Sequence, residues 1–129
     1  MTNLEIMSIV NSYTTLKDTV RKGEQTEARL PAKIAWTRRV NMSKLFQAKK
    51  LIDEAMQELN EQYADDDHSE EKDGVRTVRK EYLKEFFESQ GEILTQETEV
   101  DVRKVKVDDL GDIDLTDAEM DTLAFMLED

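Results

Sequence analysis

The chain has 129 residues, with thirty acidic and eighteen basic side chains, one histidine and no cysteine, for a formal charge of −12. Without cysteine there are no disulfides and no thiolate metal sites, and an acidic surface argues against direct binding to nucleic acid or anionic lipid. No stretch approaches the roughly 18 consecutive apolar residues of a membrane span.

A single domain over 1–129 is the expectation at this length. The start, MTNLEIMSIV, lacks the basic region and long apolar run of a signal peptide, so a cytoplasmic location is expected. The charge is uneven. Residues 1–63 carry ten basic and eight acidic groups, 64–96 five and ten, and 97–129 three and twelve.

From Thr2 to Lys22, Ile6, Ile9, Tyr13, Leu16 and Val20 recur at alternating intervals of three and four. That spacing is the seam of a helix packed on another helix. Gly23, after Arg21 and Lys22, fits the left-handed residue just past a helix end. The polar connection Gly23 to Arg29 then leads into a second helix that lies antiparallel to the first.

That second helix, Pro31 to Tyr63, has no internal glycine or proline, and Pro31 suits its first helical position. Leu45, Ala48, Ile52, Ala55 and Leu59 continue a seam, with Asn41 in register one turn earlier. A polar residue in such a seam fixes register or oligomeric state, or else bonds to backbone. Apolar residues on several sides of the helix call for several neighbours, and with Asn41, Phe125 and Met126 they point to self-association.

Ala64 to Gly74 (ADDDHSEEKDG) reads as a solvated acidic loop. His68 with Asp65 to Asp67 makes a poor transition-metal site, having one imidazole and no thiolate. Asp108 to Asp114 misses the calcium-loop register. No metal and no cofactor are expected. Val75 to Ser89 reads as a third helix ending near Gln90-Gly91, with a short strand at Val75–Val78 as the alternative.

Glu97 to Val107 alternates valines with charges and changes phase at Arg103-Lys104, which suggests two strand pieces. Their partners would be Gly91–Gln96 or Asp112–Leu115. Thr116-Asp117-Ala118-Glu119 is a capping box that opens a terminal helix, with Met120, Leu123, Ala124 and Leu127 on one side. The fold class is therefore mainly α: an antiparallel two-helix hairpin with a long second helix (1–63), an acidic loop (64–74), then a third helix, a small β element and a short C-terminal helix (75–129).

With one histidine and no cysteine, most nucleophile-and-base schemes fail, and the four isolated glycines make no phosphate loop. An enzyme is not expected. Two charged regions remain. Between Arg29 and Lys50 lie seven basic residues and no acid; Arg38, Arg39 and Lys44 beside Trp36 could bind an anionic nucleotide. The competing reading has the acidic C-terminal third cover this run. The acids Asp101, Asp108, Asp109, Asp112, Asp114, Asp117, Glu119 and Asp121 form the other candidate surface, suited to a basic partner.

Three blocks, LPAKIAW…NMSKL (Leu30 to Leu45), the Gln62-Tyr63 exit into acids, and ETEVDV…LTDAEMDTLAFMLED, together resemble an uncharacterised family of short bacteriophage and prophage proteins. The resemblance covers about two-thirds of the chain in order. It implies a phage origin and brings no activity or catalytic residues. The roles it leaves open are a protein binder that inhibits a host defence or nucleic-acid-binding protein in the host cytoplasm, a virion or tail-assembly accessory, and an oligomeric nucleotide binder.

Overall fold

The computed structural model describes residues Met1–Asp129. Helix α1 (Asn3–Arg21) begins at a capping box. Thr2 Oγ1 accepts from the Glu5 amide at 3.1 Å, and the Glu5 carboxylate reaches back to Thr2. It ends in a Schellman motif: Glu24 N–H donates to the Thr19 carbonyl, Gly23 N–H to that of Val20, and Gly23 sits at φ +78°. The long helix α2 (Ala32–Gln62) is about 46 Å at 1.5 Å per residue. Pro31 stands one place earlier than the sequence suggested, at the N-cap with φ −53°, where its carbonyl accepts from Ala35.

Helix α1 lies back along α2. Ile6 and Val10 pack with Met42, Leu45, Ala48 and Ile52 in one core cluster, and Tyr13 meets Phe46 edge-on at 6.0 Å between centroids. The seam from Leu45 to Leu59 faces inward as its period required. A second cluster sits over the start of α2, where Ile34 packs with Val105, Leu110, Leu123 and Met126. The C-terminal third thus supplies the neighbour that the first half of α2 needed.

Several expectations change. Residues 64–74 are not all loop, because β1 (Ser69–Lys72) and β2 (Val75–Val78) form an antiparallel hairpin. Asp73 (φ +55°) and Gly74 (φ +80°) make its two-residue turn, the left-handed pair that matches strand twist. The third helix therefore starts late: a 3₁₀ turn (Lys80–Tyr82) leads into α3 (Leu83–Thr95). That helix runs through Gly91 instead of ending there, and Phe87 faces solvent while Phe86 is buried.

Residues 98–104 form no strand, and the stretch pairs with neither segment expected. A bridge joins Thr2 to Glu97, and β3 (Val105–Lys106) pairs in parallel with β4 (Leu127–Glu128). A 3₁₀ turn (Val107–Leu110) follows β3. The capping box at Thr116 holds, and opens α4 (Asp117–Asp121). The chain then tightens into a 3₁₀ turn (Ala124–Met126), so Glu119, Thr122, Leu123 and Met126 point inward and Met120 and Ala124 are exposed. No helix is long and apolar enough to cross a membrane.

Candidate functional site

The acidic C-terminal third lies on the basic half of α2, and each contact has a geometric cause. Lys33 Nζ donates to Asp109 Oδ2 at 3.1 Å. That hydrogen bond, with one from the Lys106 amide, holds the Asp109 carboxyl below the ordinary aspartate range. Lys44 Nζ donates to the Asp101 carbonyl at 2.8 Å. The Asp101 carboxylate is 3.9 Å away and 97 % exposed, so this ion pair adds little.

Arg38 is the deepest of the basic residues, 8 % exposed. Its Nη2 donates to Glu27 Oε1 at 2.6 Å and its Nη1 to Thr122 Oγ1 at 3.3 Å, and its guanidinium lies 5.4 Å from the Tyr13 ring centroid. The other oxygen of Glu27 accepts from Lys17 Nζ at 2.6 Å. Burial alone would raise the Glu27 carboxyl; the hydrogen bonds from Lys17 and Arg38, and their charges, outweigh it and lower it from the ordinary value. A carboxylate in a segment that reads as a plain polar connection thus satisfies the most buried cation.

Glu119 is likewise buried, at 3 % exposure. One oxygen completes the Thr116 cap and the other accepts from the Ala28 amide at 2.7 Å. Gln25 Nε2 donates to Thr116 Oγ1 at 3.1 Å. The start of α4 therefore clamps the α1–α2 connection.

These placements correct several expectations. Arg38 is buried and bonded within the chain and Lys44 is tied at the surface to the Asp101 carbonyl, while Trp36 and Arg39 lie exposed on α2. Trp36 is 60 % exposed. Asn41 and Met126 are buried and offer no face to a second copy, while Phe125 is half-buried against both core clusters. Of the eight acids, Asp109 and Glu119 are engaged internally and Asp101 accepts Lys44 through its carbonyl. Asp108, Asp112, Asp114, Asp117 and Asp121 are exposed and take part in no ion pair.

His68 belongs to a separate aromatic cluster. Its Nδ1 is 2.6 Å from Asp65 Oδ1 and its ring is 4.6 Å from that of Tyr82 and 5.4 Å from that of Tyr63. The hydrogen bond with His68 holds the Asp65 carboxyl below its usual value. No group of three or more His, Cys, Asp or Glu side chains is arranged to hold a metal ion. Compared with protein-family models, curated proteins and solved structures, the chain matches none.

Proposed function

We propose that the protein acts by binding and not by catalysis, presenting the carboxylates Asp108, Asp112, Asp114, Asp117 and Asp121 to a basic surface on a partner protein. The carrying observation is the division of the acids. Asp109 and Glu119 are bonded within the chain, while these five are exposed with no cation paired to them. Fixed like charges on one stretch of chain repel one another and are relieved by a cationic partner, which they also steer from a distance. With the resemblance to phage proteins, the reading becomes a phage protein that blocks a host defence or nucleic-acid-binding protein in the host cytoplasm.

The nucleotide-binding alternative is weakened, because Arg38 and Lys44 are bonded internally. The virion-accessory alternative is tested by mass spectrometry of purified particles. The main test is affinity capture from host lysate with the wild type and with a variant carrying Asn at all five aspartates, each checked for helical content. A partner held by the wild type, lost from the variant and released by salt is the expected result, since exposed charges are screened over about 8–10 Å. Equal retention by the variant, or binding indifferent to salt, overturns the reading.

A further inference from the structure

Helix α1 and α4 do not close against each other completely. Between them run two adjoining hollows of about 540 Å³ and 440 Å³ that share Leu4, Ser8 and Asp121. The first is lined by apolar Leu4, Met7, Leu16 and Ala118 and by six neutral polar residues from Ser8 to Gln25, with Asp121 the one charge. Leu4 is 57 % exposed, a large apolar side chain left on the rim. The second hollow extends toward Phe125. The only charged residues lining either are Glu5 and Asp121, both acidic.

We infer that this groove receives an amphipathic helix of the partner protein, apolar on the inner face and carrying lysine or arginine on the side toward α4. Three observations select that occupant. Leu4, Met7, Ile9 and Phe125 give the two hollows an apolar strip within a neutral polar lining, which favours a ligand with one apolar face and one polar one. Asp121 lines the groove, and Asp117, one turn earlier on α4, is also exposed with no ion pair, so the favoured partner charge is positive. The long wall is α1, whose backbone groups are used within its own turns, so an extended peptide laid along it would find no strand edge to pair with. A helix brings its own amides already satisfied. The stretch of α1 from Leu4 to Thr15 would face about three turns of such a helix.

This inference rests on the acidic-face reading and names the element that binds it. The probe is a capped, fluorescent peptide of about 15 residues, roughly 22 Å as a helix, with leucines at i, i+3, i+4 and i+7 spacing and lysines elsewhere. Its controls are a glutamate-for-lysine analogue and a scramble of the same composition. Anisotropy should show binding of the cationic amphipathic peptide only, with amide shift changes confined to α1 residues 4–15 and to α4. Ser8→Trp, which fills the groove from an exposed position, and Asp121→Lys should each weaken it by about tenfold or more.

No binding, equal binding of the scramble, or shifts confined to 108–114 overturns the inference. So does a dimer of the wild type that Ser8→Trp dissociates, because the occupant is then a second copy. Applied to the captured partner, the same variants separate the two readings. Loss with the asparagine variant but not with Ser8→Trp removes the groove and leaves the acidic face. Loss with Ser8→Trp alone leaves the groove and removes the charge argument.

Discussion

The side-chain amide of Asn41 pairs with the main chain of Arg103 in both directions, Nδ2 donating to its carbonyl and Oδ1 accepting from its amide, each at 2.9 Å. The amide thereby does for residue 103 what a neighbouring strand would do, and it does so from the interior of α2, where Asn41 is 0 % exposed. Asn41 thus anchors a stretch that has a bridge at its start, Thr2 to Glu97, but no strand beside residue 103. The contact is also where the valines of that stretch change phase: Val102 lies half-buried before it and Val105 fully buried after it.

Removing that amide should therefore cost more than a surface hydrogen bond. Asn41→Ala deletes both bonds and leaves a small void, for an expected loss of about 2–4 kcal/mol in urea unfolding. Asn41→Asp keeps the acceptor, loses the donor and buries a charge, so it should be at least as damaging at neutral pH. A loss within about 0.5 kcal/mol for both variants would mean that the valines, the Thr2–Glu97 bridge and the Lys44 contact hold segment 97–104 without Asn41.

Glu27 links α1 and α2 through Lys17 and Arg38, and its lowered carboxyl makes stability depend on pH. A carboxyl depressed on folding binds fewer protons in the folded state than in the unfolded one. Its contribution is complete above the ordinary value of 4.5 and is lost as pH falls through the folded value. Glu27→Gln should flatten the loss of stability on acidification below about pH 4.5 and lower the plateau above it. Glu27→Ala strands Arg38 and should cost about 3 kcal/mol, more than Arg38→Met, which replaces the cation with an apolar chain of similar length. Urea midpoints at several pH values measure both effects.

How much of this was legible in the sequence follows from how local each signal was. The seam Leu45–Leu59 and the cap at Thr116 are written within a few residues and appear where the pattern put them. The Asp73-Gly74 turn is equally local, but the acids before it disguise β1 as solvated loop, while the β-branched run Val75–Val78 is the short strand that its composition offered as the alternative to helix. The partners of residues 97–107 are not local. Asn41 and Leu127 lie far away in the chain, and no spacing rule encodes them. For the candidate surface, charge counts locate the acids and the basic run, of which Lys33 and Lys44 meet Asp109 and Asp101. Which carboxylates turn inward depends on tertiary position, so no local pattern separates Asp109 and Glu119 from the surface acids or singles out Glu27.

The hairpin offers a test of local against global stability. All residues from Glu70 to Thr77 are exposed, and the buried contacts of the hairpin come through Ser69 at its base. Gly74→Val places a β-branched residue at φ +80° and should strain the turn by about 1–2 kcal/mol. Amide exchange in β1 and β2 should accelerate about tenfold with the thermal midpoint nearly unmoved. A matching fall in the global midpoint would show that the hairpin unfolds with the core.

Two glycines should respond oppositely to the same change. A methyl group at either Gly23 or Gly91 would meet nothing within 4 Å, so space does not decide between them. Conformation does. Gly91 lies inside α3, where glycine costs backbone entropy, so Gly91→Ala should stabilise by about 0.5–1 kcal/mol and raise the midpoint by about 2–5 °C. Gly23 closes α1 at φ +78°, a region an alanine adopts only with strain, so Gly23→Ala should destabilise by about 1 kcal/mol. Thermal melts of the two single variants and the double variant measure this directly. The double should lie near the wild type, because the two sites sit on different helices with no partner in common. A gain from Gly23→Ala would mean that α1 does not end in its left-handed cap, and with that cap would go the tight exit that returns the chain toward the clamp at Ala28 and Glu119.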